Sequence, residues 1–228
     1  YEHLVFLETA LSGKKILVEK PLFNSFHDFI IKKNDVFVGY NLRYHPLLLL
    51  MKEKILGKKI WNINVFCGSY LPDWRPKRNY SDTSSAKKLS GGGVLLDLSH
   101  ELDYVKWLIG DIYIDYVKSA KISDLKIETD DYLLLSGQSK SGIQINISLN
   151  YFTREPIRQI IIDGEGVSIQ ADLISNKFNI YEGNNFNDYS ISSFNKNSTY
   201  VNQHRSILQN DYSFTCSYTE GLETLRLI

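Results

Sequence analysis

The chain has 228 residues, 43% of them hydrophobic and 23% charged, a usage typical of soluble globular domains and enough chain to bury a sizeable core without disulfide or metal staples. Its 26 basic and 26 acidic side chains cancel, so the cationic footprint of a nucleic-acid-binding protein is missing. The longest apolar run, Leu47 to Met51, is far too short to span a membrane.

Residues 1 to 110 carry 16 Lys/Arg against 11 Asp/Glu, and the remainder carries 10 against 15. This split points either to an anionic ligand near the N-terminal half or to solvated lysine pairs such as Lys32/Lys33 and Lys58/Lys59. Cys67 and Cys216 lack disulfide or metal-ligand spacing, which predicts two core thiols, no metal centre and a reducing, cytoplasmic setting.

In chain order, Leu4, Leu7, Glu8 and Leu11 have helical spacing with Gly13 as a stop. Ile16 to Val18 reads as a buried strand closed by Pro21, Phe26 to Lys33 as a helix, and Val36 to Val38 as a second strand. Strand, helix, strand is the order a parallel sheet requires. Pro46 opens a helix to about Gly57, and Ile60 to Ser69 is a strand. Tyr70 to Gly93 is too long for an ordinary connection, and loops of that length are usually functional or disordered. Val94 to Ile109 reads as one helix, with Leu95, Leu98, Leu102, Val105 and Ile109 on a stripe and Gly110 as cap.

Six strands follow, at Ile112 to Ile122, Tyr132 to Gln138, Ile143 to Tyr151, Ile157 to Ile162, Val167 to Ala171 and Phe178 to Tyr181. They predict a mostly antiparallel sheet with one polar, uncharged face, since Gln144, Asn146, Ser148 and Asn150 alternate with apolar residues. Asn184 to Asn197 reads as a polar loop, and helices at Thr199 to Asn210 and Thr219 to Ile228 close the chain. The fold class is thus α/β, a short parallel unit followed by an open antiparallel sheet with helices on one face.

Three segments can carry chemistry. On a single helix, Asp97, His100 and Tyr104 would share a polar stripe. A histidine beside a carboxylate is a candidate general base or an ordinary surface ion pair. The preceding Gly91-Gly92-Gly93 could offer backbone N–H groups to an anion, although no GxGxxG pattern exists. Glu19-Lys20-Pro21 ends the first strand, where open α/β sheets bind ligands and where desolvation lowers a lysine pKa. Asn41 and Arg43 end the second strand in the same position; Arg43 can contact a ligand or bridge two halves of the chain.

Lys14 to Leu22, KKILVEKPL, resembles the EKP signature of the glucose-fructose oxidoreductase/inositol dehydrogenase (Gfo/Idh/MocA) family, and GGGVLLDLSHELDYVKWLIG resembles its Gly-Gly, Asp, His, Asp helix. The likeness runs in order along most of the chain. It implies a two-domain NAD- or NADP-dependent oxidoreductase, with residues 1–42 part of the dinucleotide-binding domain and 43–228 a substrate and oligomerisation domain. Carried over, Lys20 and His100 are catalytic with Asp97 as a neighbouring acid, and Glu19, Lys20, Pro21, Asn41 and Arg43 line the cofactor. Many members write Asp-x-x-x-His where the spacing here is three, so His100 carries the likeness more directly than Asp97. Trp74, Arg75, Tyr80, Asp97 and Tyr104 are then substrate-facing, Trp74 as a stacking surface for a sugar and Arg75 as an anion clamp.

The implied function is hydride transfer with a sugar, sugar derivative or polyol, the substrate nucleotide-linked or acidic, in a homo-oligomer formed through the open sheet face. The family's glycine-rich dinucleotide turn is not among these residues, which makes a truncated member the expectation. The alternatives are a non-catalytic carbohydrate-binding or oligomerisation domain and a redox-assisted hydrolase.

Overall fold

The computed structural model describes residues 1–191 and 194–227; Ser192 and Ser193 of the expected polar loop, and Ile228 of the expected last helix, lie outside them. The chain forms a small unit and a large one. In the small unit α1 (Glu2–Ala10) precedes β1 (Lys15–Val18) and β2 (Asp35–Val38), which pair in parallel from Lys15↔Asp35 to Val18↔Val38. Between these strands the expected helix at Phe26 to Lys33 does not form. The buried Glu8 carboxylate takes the amides of Lys32 and Lys33 at 2.7 and 2.6 Å and the Asn34 side chain at 2.7 Å, while Tyr218 donates to the Phe29 carbonyl at 2.7 Å. Tertiary partners replace the i to i−4 bonds, and Ile30, which would need a buried helix face, stays 67% exposed.

A 3₁₀ turn, Asn41–Tyr44, leads into α2 (Pro46–Ile55), with Pro46 at its first turn and the His45 ring accepting from the Leu47 amide. β3 (Ile60–Gly68) enters the large sheet. The long Tyr70 to Gly93 connection is a chain of short 3₁₀ turns. The single helix expected after it is two, α3 (Val94–Asp97) and α4 (His100–Ile109). β4 (Ile112–Ala120), β5 (Tyr132–Ser139), β6 (Gln144–Asn150), β7 (Ile157–Gly164), β8 (Val167–Asp172), β9 (Lys177–Glu182) and β10 (Asn185–Ser190) complete an eight-stranded sheet ordered β10-β9-β8-β7-β3-β6-β5-β4. Only the central β3–β6 pair is parallel. β10 lies where a loop was expected: all six of its residues are exposed, and the hairpin turn at Gly183 places it on β9 as an edge. α5 (Asn197–Gln209), the short β11 (Cys216–Ser217) and α6 (Tyr218–Arg226) end the chain.

The alternation along β6 is realised: Ile145, Ile147 and Leu149 are buried while Gln144 and Asn146 are exposed. Each such side chain contributes about 1.5–3 kcal/mol by leaving water. The main core lies between the sheet's inner face and α2 and α4, through Leu47, Met51, Leu102 and Val105. A second core joins Leu4, Val36, Val38 and Tyr40 to Cys216, Leu222 and Leu225. β11 pairs antiparallel with β2, so the chain end returns to the small unit. Both cysteines are free and buried. Among the described residues no helix is long and apolar enough to cross a membrane, and no group of three or more His, Cys, Asp or Glu is placed to hold a metal.

Candidate active site

Lys20 stands at the C-terminal end of β1, beside the end of β2, where the Gly39 amide donates to the Val18 carbonyl at 2.7 Å. Its ammonium donates to the main-chain carbonyl of Asp97. That carbonyl is available because the helix breaks after it: the Glu101 amide bonds to Leu98 at 3.3 Å rather than back to Asp97. The break also separates Asp97 from the expected stripe. Its carboxylate accepts the Tyr151 hydroxyl at 2.6 Å and does not pair with His100, which corrects the sequence expectation of a carboxylate-held imidazole.

His100 begins α4 and sits edge-on to the Tyr40 ring at 5.6 Å. It lines a cavity of about 220 Å³ together with Asn41, His45, Arg158, Thr199 and Tyr200. Its Nδ1 is buried with no hydrogen-bond partner among the described residues. Burial, with the Lys20 and Arg158 cations close by, holds its pKa well below the usual histidine value, so the imidazole is neutral near pH 7. Burial likewise lowers the Lys20 pKa, opposed by the Asp97 and Glu101 carboxylates. Behind His100, Glu101 has no exposure and lies 2.7 Å from Arg158 Nε.

The backbone around the site is shaped by the glycines. Gly93 has φ +123, and a Cβ there would strike the Asp130 carboxylate, which accepts the Leu95 amide at 3.2 Å and so caps α3. The amides of Gly91, Gly92 and Gly93 all donate to carbonyls of the preceding turns. The anion at this helix start is therefore the protein's own, and the expected open anion nest is not present.

Lys20, Asp97 and His100 are thus gathered at one place, and Trp74 adjoins them by packing edge-on against Tyr151 at 5.3 Å while its indole donates to Ser69 at 2.8 Å. Asn41 reaches the cavity wall, with its side-chain amide donating to Thr199 at 2.7 Å. Glu19 is exposed and Pro21 half-buried beside Lys20. Four expectations change. Arg43, 2% exposed, donates to both Asp103 carboxylate oxygens at 2.9 and 2.7 Å and to Glu220 at 2.9 Å, so it bridges the two units and its cofactor contact gives way. Tyr104 is fully buried, its hydroxyl among Glu101, Arg158 and Cys67 and not at the cavity. Tyr80 accepts the Lys126 amide at 3.1 Å and braces the loop. Arg75 opens onto a separate hollow. Sequence reasoning missed Tyr151, His45 and Arg158. For Arg158 a signal existed, because it is the charged member of an inward register whose next positions are Ile160 and Ile162.

An open mixed sheet backed by helices and joined to a small parallel unit is an arrangement shared with several solved structures. Levoglucosan dehydrogenase, solved in complex with NADH, superposes with a TM-score of 0.84 at 16% identity, over 99% of this chain and 72% of that one. An oxidoreductase from Thermotoga maritima gives 0.79 at 12% identity, over 99% and 71%. The WlbA dehydrogenase from Bordetella pertussis, solved with NADH and UDP-GlcNAcA, gives 0.72 at 18% identity, over 99% and 70%. At these identities the likeness is one of fold. Comparison with curated proteins by sequence finds no match. The model of the GFO/IDH/MocA C-terminal domain matches residues 49–170, more than half of the chain. The chain belongs to the GFO/IDH/MocA family.

Proposed function

We propose that this protein acts as an NAD(P)-linked dehydrogenase on a sugar, sugar derivative or polyol, with Lys20 and His100 as its catalytic residues and Asp97 as their positioning neighbour. The observation that carries the reading is a desolvated lysine, bonded to the Asp97 carbonyl and close enough to act electrostatically on His100, beside a neutral histidine whose unpartnered nitrogen is buried and which lines a cavity. Glu19-Lys20-Pro21 and Asn41 sit at adjacent ends of parallel strands, the usual side for such ligands in open α/β sheets, and would face the nicotinamide end of a dinucleotide; the glycine-rich turn that would hold its diphosphate is not among these residues. When bound, the nicotinamide supplies the hydride acceptor or donor.

In the oxidative direction, His100 accepts the proton of the substrate hydroxyl, and its neutrality near pH 7 keeps it ready to do so. Lys20 donates a hydrogen bond to the same oxygen and holds the negative charge that develops there. Tyr151 fixes the Asp97 carboxylate, which keeps the Asp97 carbonyl aimed at Lys20. Trp74, packed on Tyr151, offers an apolar wall to a sugar ring. In this reading residues 1–42 are the dinucleotide-binding part and 43–228 the substrate and oligomerisation part. The outer sheet face, carrying Tyr116, Tyr181 and Phe186 exposed among polar residues, receives a second copy.

Titration with NADH and NADPH, followed by energy transfer from the three tryptophans, tests this. Micromolar binding is expected, and sugars and uronic acids are then screened for reduction of the dinucleotide. Absence of binding to a folded sample would mean that these residues alone do not complete the cofactor site, or would favour the non-catalytic alternative.

A further inference from the structure

His45 caps α2, and the cap fixes what the rest of its ring can do. The residue precedes Pro46, which confines its backbone to the extended region at φ −72 and ψ 128, and its carbonyl accepts the Leu48 and Leu49 amides at 2.9 and 3.0 Å. Its Nδ1 accepts the Leu47 amide at 3.2 Å. A ring nitrogen that accepts carries no proton, so in the neutral imidazole the proton is on Nε2. Burial pushes the His45 pKa down to about 4, which keeps the ring neutral at pH 7. His45 therefore offers one N–H donor, on the edge that points away from the helix start.

That donor has no partner among the described residues. Nε2 is buried without a hydrogen bond, in a residue that is 2% exposed and lines the same cavity of about 220 Å³ as His100. Leu173, part of that cavity wall, and the Asn176 side chain both lie beside the ring. Neither closes a bond to Nε2, and Asn176 Oδ1 is itself buried and unpartnered. The cap bond and the Phe194 ring, 4.5 Å away, hold the imidazole in place. Protein interiors leave few such groups unanswered. A donor beside an acceptor calls for a group that accepts from one and donates to the other. A hydroxyl does both, whereas a carboxylate would answer Nε2 and repel Oδ1.

We propose that His45 is a specificity-determining residue of the His100 cavity: its Nε2–H donates to a substrate hydroxyl other than the one that reacts, and Asn176 Oδ1 accepts the proton of that same hydroxyl. The proposal rests on this cavity taking a sugar or polyol, and it names a second oxygen that the ligand must carry. An analogue with hydrogen in place of that hydroxyl would leave both buried groups unanswered and is discriminated against.

The two edges of the ring can be removed separately. His45→Asn keeps an acceptor where Nδ1 stands and loses the Nε2 donor; His45→Gln places an amide N–H near Nε2 and loses the cap. Calorimetric titration of the full chain with D-glucose and with myo-inositol reads the outcome. At least one of the two is expected to bind, with a dissociation constant raised about tenfold in His45→Asn and close to the wild-type value in His45→Gln. Stability should move the other way, the urea midpoint at pH 7 falling in His45→Gln and holding in His45→Asn. In the ligand-free protein, nitrogen-15 spectra of labelled histidine should show His45 with its proton on Nε2. A proton on Nδ1, failure of both probes to bind, unaltered affinity in His45→Asn, or equal loss in the two variants would overturn the proposal, the last by assigning His45 to the cap alone. Hydride transfer from either probe to NAD or NADP with KM unchanged in His45→Asn would keep the dehydrogenase reading and sink this one. Binding that depends on the His45 donor, without any hydride transfer, would do the reverse.

Discussion

At the scale of single residues, the candidate site is marked by polar groups without partners. His100 carries a buried, unpartnered nitrogen and no carboxylate to raise its pKa, so it stays neutral near pH 7, the state the proposed proton acceptor requires. Replacing it with Asn is therefore expected to lower kcat by about 10²–10⁴ with little change in the far-ultraviolet circular dichroism or in NADH affinity. A variant that retained its rate would remove His100 from the mechanism. The residue types of this site were legible in the sequence. Lys20, Asp97 and His100 were picked out by strand-end position, helical spacing and family likeness. Their pairing was not, because Asp97 takes its hydroxyl from Tyr151, 54 residues further on. Arg43 shows the same limit: strand-end position suggested a ligand contact, but two carboxylates from distant helices claim it.

Among elements, the break between α3 and α4 decides what the site can do. A continuous helix would bond the Asp97 carbonyl to its own fourth neighbour and leave Lys20 without an acceptor. The approach to α3 is set by Gly93, which adopts φ +123 against Asp130 and whose carbonyl accepts the Asp97 amide at 3.0 Å. Gly93→Ala is expected to cost about 1–3 kcal/mol through backbone strain and collision with the Asp130 cap, lowering the urea midpoint. Catalytic rate should fall as well, since Asp97 is displaced. Unchanged stability would mean that the Gly93 conformation is not required. Strongly patterned elements such as β6 and α4 were readable because burial imposes their periods. Segment 26–33 was misread as a helix because its amides are satisfied by Glu8, 24 residues earlier. β10 was missed because an edge strand exposed on every residue has no apolar period to display.

For the whole molecule, burial of ionisable groups sets the response to pH. His45 is 2% exposed and burial pushes its pKa down to about 4, against about 6.5 when unfolded. The unfolded chain therefore binds more protons between these values, so stability is present above about pH 6.5 and is lost as pH falls towards 4. The loss from this group is about 3 kcal/mol at roughly 1.4 kcal/mol per pH unit, and His100 adds to it in the same direction. Urea unfolding at pH 7 and near pH 4.5 should show the fall, and His45→Asn, which can still accept the Leu47 amide, should reduce it; an equal fall in that variant would place the effect elsewhere. The outer sheet face gives a second expectation. Light scattering should report an oligomer that Tyr181→Asp weakens, whereas a monomeric wild type would leave that face to solvent or another partner.

The sequence by itself determined the alternation that builds the large sheet, the parallel order of β1 and β2, the presence of a lysine, an aspartate and a histidine that can exchange protons, and the likeness to a family. These follow from local spacing and residue type. Only the tertiary structure decided that β11 and α6 return to the first unit, that Arg43 bridges rather than binds, that Tyr151 holds Asp97, and that His45 and His100 line one cavity. Each of those depends on contacts between residues far apart in the chain, where burial and geometry, and not spacing, choose the partner.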